Sequence, residues 1–198
     1  MPTDQELQDP RLARTRSVVI AAAIELVGEC GFGRATIEAI AEKSGVARST
    51  IYRHWGSLPE LLHDAMIETV RSQTSVDTGT IRGDLLAIYK ELGRFMSTPS
   101  FGHIAVSMFA EARRDKKVAT LMARFSEGRR RRVVAAIEAG KARGELPDSV
   151  DEMTMANDLA APIFFRAIVL IETVNDEFIE MHVDRWLDHY GYLGSKIG

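Results

Sequence analysis

Residues Thr36 to Trp55 read TIEAIAEKSGVARSTIYRHW, and this stretch decides the fold. Ile37, Ile40 and Ala41 share one face of a short helix, Gly45 interrupts it, and Ile51 and Trp55 share the inward face of a second. Two helices joined by a turn of about three or four residues containing Gly form the helix-turn-helix unit, whose second helix fits the major groove of DNA. The stretch therefore predicts a surface for double-stranded DNA.

Each position has a mechanical reason. Thr36 can accept a hydrogen bond from a free amide of the first turn, and Glu38 suits the positive end of that helix. Gly45 stands where the chain leaves the helix and needs a left-handed backbone. Arg48, Ser49 and Thr50 occupy the first turn of the second helix, the end that meets base edges. Tyr52 and His54 can reach phosphates, contacts that position the protein without reading sequence. A polar helical hairpin without nucleic acid is the competing reading, and it accounts for none of the basic residues at the recognition end.

Working outward, Val19, Ala22, Ala23, Leu26, Val27 and Cys30 recur at helical spacing and Gly31 ends that helix. On the other side Ser57 and Glu60 form a capping box, Pro59 lies in a first turn, and Leu58, Leu61, Leu62 and Ala65 continue as an inward stripe. Three helices and the start of a fourth enclose one small core.

The segment AAAIELVGECGFGRATIEAIAEKSGVARSTIYRHWGSLPELL, within Arg14 to about Ala65, resembles the TetR/AcrR family of transcriptional repressors. RGELP at Arg143 to Pro147 and APIFFR at Ala161 to Arg166 are similar to the more variable ligand-binding halves of that family. The resemblance implies a DNA-binding domain over 11–72 and a ligand-binding and dimerisation domain over 73–198. Two positions depart from the family pattern: Ala47 stands where a Ser or Thr commonly caps the recognition helix, and Leu58 where a Lys commonly anchors phosphate. Arg48, Arg53 and the N-terminal Arg14 and Arg16 are then expected to carry more of the phosphate binding, with Thr36 at the edge of the contact surface.

Composition agrees. The 198 residues carry a formal charge of −3, yet residues 11–56 hold seven Lys or Arg against four Glu, a local +3 that would meet the phosphate backbone. The first ten residues read as an acidic tail ahead of a basic arm at Arg11, Arg14 and Arg16. No signal peptide or long apolar span is visible, so no membrane partner and a cytoplasmic location are expected. Cys30 is the single cysteine, which excludes an internal disulfide and a cysteine zinc cluster.

Beyond the fourth helix, residues 75–83 (SVDTGTIRG) lack periodicity and read as a connection. Helical patterns follow over Asp84–Ser97, Ser100–Arg113, Asp115–Arg143, Asp151–Val174 and Asp176–Tyr192. No strand pattern appears, and the architecture is all-α with about nine helices. The run Arg129 to Arg132 spreads around a helix at 100° per residue and reads as a solvated face. His182 and His189 lie about 10 Å apart along a helix, too far to share one metal ion. No catalytic arrangement or cofactor motif is present, so no enzyme activity is expected.

Two sets of apolar residues remain. Phe101, Met108, Phe109, Met122, Phe125 and Phe165, with His103, Asn157 and Arg166 as polar members, suit a pocket for a small, largely apolar effector. Phe164, Phe165, Ile168, Ile171, Phe178, Met181, Trp186 and Tyr190 offer more apolar surface than a monomer leaves exposed, and Pro162 should kink the helix that carries half of them. They predict a homodimer, and hence a palindromic operator. The expectation is a ligand-responsive repressor. The alternative is an all-α small-molecule-binding or protein-interaction module without operator-specific DNA binding.

Overall fold

Local signals start and stop the recognition helices as the sequence predicts. In the computed structural model, which describes residues 10–31, 34–70 and 76–192, Thr36 has extended backbone and its Oγ1 accepts from Ala39 N at 3.1 Å. It opens α2 (Ile37–Ser44), and Gly45 closes that helix at φ +68°. α3 (Arg48–Trp55) begins after Ala47, which supplies no side-chain cap, and Gly56 N–H donates to Tyr52 O at 2.9 Å at its end. The other helices are α1 (Pro10–Cys30), α4 (Leu58–Val70), α5 (Ile81–Met96), α6 (Pro99–Ala112), α7 (Lys116–Ala142), α8 (Glu152–Phe164) and α9 (Asp176–His189). The described residues thus form nine α-helices, with a five-residue π-helical segment, Phe165–Val169, and no strand.

Packing divides the chain into two compact units, Met1–Arg71 with Pro99–Phe125, and Ser72–Thr98 with Ser126–Gly198. One crossing falls beside the predicted boundary at 72/73; the others place α6 and the first part of α7 with the DNA-binding helices. In the first unit α1 packs on α2, α4 and α6, α3 packs on α2 and α4, and α4 also touches α6. Val19, Ala23, Val27, Ile40, Ile51, Leu61, Leu62, Ile104 and Met108 fill the core. Burying each larger side chain contributes about 1.5–3 kcal/mol, which outweighs the weak propensity of helices only eight residues long. Cys30 is only half-buried, and its thiol donates to Leu26 O at 3.1 Å.

The second unit is pinned by buried charge. Glu145 accepts from Ile81 N–H at 2.8 Å and pairs with Arg143, which also donates to buried Asp84 at 3.2 Å. Asp84 Oδ1 in turn accepts from Thr78 N and Oγ1. The RGELP segment therefore closes the start of α5. This start differs from the predicted Asp84, because Thr80 caps the helix by accepting from Gly83 N at 3.1 Å, so Ile81–Gly83 form its first turn rather than a connection. Gly140 permits the approach: a Cβ there would sit 2.8 Å from Ile81 Cβ.

Pro162 lies inside α8 without ending it, and the helix changes form beyond it. α8 stops at Phe164, and the hydrogen bonds Leu170 N to Phe165 O and Glu172 N to Arg166 O widen the turn before the chain leaves the helix. The predicted helix to Val174 thus ends early, with the π-helical Phe165–Val169 as its last turn. Ile171 follows at φ +56°, left-handed backbone that a β-branched residue adopts at a cost.

The arginine run also differs in part. Arg130 and Arg131 pair with Glu127 on the surface, and Arg132 approaches Glu91. Arg129 is drawn inward, where burial pushes its guanidinium down to about 10 against the opposing pull of Glu91.

Candidate nucleic-acid interface

Ile51 and Trp55 are buried and fix the rotation of α3, which turns Arg48, Ser49, Tyr52, Arg53 and His54 outward; Thr50 is half-buried. Thr36 is exposed at the start of α2, beside the same surface. The Arg48 guanidinium is not free in the absence of DNA, because it pairs with Glu38 on α2. That contact gathers the residue expected to read a base toward the first helix of the motif. Lys43 is committed as well, bridging Glu25 and Glu29 of α1 at 3.1 and 2.9 Å, which raises its pKa through hydrogen bonds to both carboxylates.

The two N-terminal arginines separate. Arg14 is exposed on α1, whereas Arg16 is half-buried and donates to Asp64 Oδ2 at 2.8 Å. The same oxygen accepts from the Trp55 indole N–H at 2.8 Å. Asp64 therefore ties α1 and α3 to α4, and this tie holds the recognition helix at its C-terminal end. Neither Asp64 nor Glu38 is legible as a functional residue from its neighbours in sequence, since Arg16 lies 48 residues away from its partner.

A face of Arg, Ser, Tyr and His on a short helix, clamped from behind by apolar residues and an ion pair, can present cations and hydroxyls to phosphates and base edges. Comparison with known proteins identifies the arrangement. Residues 19–65 match the family model for bacterial regulatory proteins of the tetR family, and residues 75–186 match the tetracyclin repressor-like C-terminal domain. The chain belongs to the TetR family. This TetR-family chain is 28% identical over 172 residues to the uncharacterized HTH-type transcriptional regulator YdeS of Bacillus subtilis (strain 168), covering 86% of each chain. It is 31% identical over 142 residues to the HTH-type transcriptional regulator AqdR of Rhodococcus erythropolis, covering 71% of this chain and 68% of the relative. The crystal structure of the TetR-family transcription regulator SCO0332 superposes with a TM-score of 0.71 at 27% identity, covering 88% of this chain and 97% of the other. The protein is thus a helix-turn-helix transcriptional regulator, and its family and relatives are regulators rather than enzymes.

The structure distributes the predicted effector residues. Met108, Met122 and Phe125 are buried in the first unit, and Phe109 is exposed. Asn157 and Phe165 are exposed in the second unit, and Arg166 is spent on Thr173 O, Glu172 and the face of Phe178. The side chains of Phe101 and His103 lie outside the described residues.

Of the predicted dimer set, Phe165, Ile171 and Met181 are exposed at 54%, 86% and 53%, together with Val169 and Leu170. Phe164, Ile168, Phe178, Trp186 and Tyr190 are half-buried. Phe178, His182, Trp186 and Tyr190 form a run of ring contacts along α9 and its C-cap, stacked at either end and edge-on between His182 and Trp186, and Tyr190 OH donates to Asp158 at 2.7 Å. His182 is buried against Leu159 O at 2.9 Å, and burial lowers its pKa. Among the described residues no cluster of His, Cys, Asp and Glu could hold a metal ion, and no helix is long and apolar enough to cross a membrane.

Proposed function

We propose that this TetR-family regulator is a cytoplasmic, ligand-responsive repressor that binds a palindromic operator as a homodimer. The observation that carries the DNA-binding part is the outward face of α3, with Arg48, Ser49, Tyr52, Arg53 and His54 exposed over the buried Ile51 and Trp55. Arg48 and Ser49 meet base edges; Thr50, Tyr52, Arg53, His54, Thr36 and Arg14 meet the backbone. Arg16 acts from behind, through Asp64 and the clamp on Trp55.

The exposed apolar residues Phe165, Val169, Leu170, Ile171 and Met181 support dimerisation through the second unit, because a surface of this kind is costly to leave in water. Two recognition helices held by one two-fold axis then read inverted half-sites. DNA binding is assigned to residues 11–72, and effector binding and dimerisation to 73–198.

A small, largely apolar effector releases the operator. Two proteins of the same fold support an organic ligand: a transcriptional regulator from Saccharomonospora viridis solved in complex with choline, and the flavonoid-responsive regulator FrrA. Packing supplies the coupling, since α6 and the first part of α7 carry Met108, Met122 and Phe125 and belong to the same unit as α1, α3 and α4. A ligand that displaces α6 pushes directly on α1 and α4. Selection of bound duplexes from a random DNA pool tests the reading: a palindrome should emerge, and retention of all sequences alike would leave only a ligand-binding or protein-interaction module.

A further inference from the structure

A cleft of about 430 Å³ opens within the first unit between the C-terminal end of α3, the outer face of α4 and the first part of α7. Its charges are unevenly spent. Asp64 is engaged through one oxygen, Oδ2, by Arg16 and the Trp55 indole, whereas Arg53 and Arg124 line the cleft with no ion-pair or hydrogen-bond partner among the described residues. Glu60 is exposed at the rim and His54 lies beside Trp55. Ile67 and Leu121 add apolar wall. His63 sits in the same wall beside Leu121; its Nε2 is buried and has no partner among the described residues.

We propose that this cleft binds a small organic acid, its carboxylate held by Arg53 and Arg124 and its apolar body laid against Ile67 and Leu121, and that occupancy withdraws Arg53 from DNA. Guanidinium groups match a carboxylate in planar, charge-assisted geometry. The volume admits a molecule of modest size, and a hydrophobic wall with a few polar groups is what such sites offer. A bare inorganic anion would leave the apolar wall unused, and a neutral ligand would leave both guanidinium groups without an anion. The competition with DNA rests on the proposed role of Arg53, whereas the binding site does not.

Electrostatics gives the site a reporter. In the empty cleft burial lowers the pKa of His63, and Arg124 lowers it further against the opposing pull of Asp64. A carboxylate on Arg124 cancels part of that positive field, so binding raises the His63 pKa back toward the ordinary histidine value and takes up a fraction of a proton below that value. Arg16 and Arg53 are the other cationic groups lining the cleft, His54 is its second imidazole, and Glu60 is the other acid.

The test follows the His63 ring resonances of the full-length protein by NMR during titration with benzoate, hexanoate, benzamide and inorganic phosphate. Both acids should give saturable shifts and raise the His63 titration midpoint, while benzamide and phosphate should not. Arg124→Met should weaken the acids about tenfold or more with the helical content unchanged, because Arg124 is exposed. Absence of a saturable shift from either acid at about 10 mM, or full binding by Arg124→Met, overturns the site. Phosphate binding as tightly as the acids overturns the ligand class. Equal benzoate affinity in the presence and absence of bound duplex DNA overturns the competition and leaves the site standing.

Discussion

Asp64→Ala tests the tie that positions the recognition helix. The substitution removes one carboxylate oxygen that serves both Arg16 and the Trp55 indole, each at 2.8 Å. Trp55 is 5% exposed, so its N–H would be left unpaired in a buried place, at about 1–3 kcal/mol. The ion pair adds less, because the Arg16 and Asp64 side chains are 22% and 31% exposed and water screens them, about 0.5–1 kcal/mol. The total is about 1.5–4 kcal/mol, or a fall in Tm of roughly 3–16 °C for a chain of this size. Asp64→Asn keeps an acceptor for the indole and should cost less than half as much. Thermal and urea unfolding followed by helical circular dichroism, with Trp55→Phe completing a double-mutant cycle, measure each contribution. A fall below about 0.5 kcal/mol for Asp64→Ala, or equal effects for Asp64→Ala and Asp64→Asn, would refute the clamp. Arg16→Gln separates the two roles of that arginine: as a clamp it lowers stability, whereas as a direct phosphate contact it would leave stability unchanged and reduce the salt dependence of DNA binding by about one counterion.

Arg48→Ala should reduce discrimination between the selected duplex and random DNA by about 1–3 kcal/mol, while Tyr52→Phe weakens all sequences alike; competition titrations at fixed salt distinguish the two. Phe165→Glu places a charge among exposed apolar side chains and should convert the proposed dimer to a monomer in light scattering, with loss of tight operator binding; a dimer that persists places the interface elsewhere. Glu145→Ala strands the buried Ile81 amide and leaves Arg143 with Asp84 as its ion-pair partner, so unfolding should be easier by about 1–3 kcal/mol, more than for Glu127→Ala on the surface. For His182 the folded pKa lies below the unfolded value of about 6.5, so the unfolded chain binds more protons in between. Its contribution is complete above about pH 6.5 and is lost as pH falls toward the folded pKa; His182→Gln should flatten that part of the stability profile.

The helix-turn-helix is legible because its signals are local. Thr36 reaches an amide three residues on, Gly45 needs only its own backbone, and Ile37, Ile40, Ile51 and Trp55 declare an inward face by spacing alone. The second half obeys less local rules. Thr80 is a cap of the same kind as Thr36, yet Gly79 and Gly83 around it look like loop, and only the buried Asp84 and Glu145 bonds show that the helix starts there. Pro162 announces a break but not its form. A π-helical turn depends on where the following carbonyls find donors, and the left-handed Ile171 has no marker in a β-branched side chain.

The candidate DNA face shows the same division, and the reason is electrostatic. Sequence counts charges, whereas binding depends on which of them are already paired. Of the cations in the basic first third, Lys43 is held by two glutamates, Arg16 by Asp64 and Arg48 by Glu38. None of these pairs is an i,i+4 neighbour on one helix, so no local pattern reveals them. Their consequence differs with exposure. The Lys43 and Arg16 bonds stitch helices together and have little reason to open. The Arg48–Glu38 pair, with both side chains about half exposed, contributes little to stability and can be exchanged for a base edge at small cost. Yet Glu38 still opposes the approach of any phosphate to Arg48, which penalises backbone contact more than a guanine edge and favours sequence reading at that position. In the proposed DNA-binding mode, a helix start that lacks the usual hydroxyl at Ala47 gains discrimination from a carboxylate on the preceding helix.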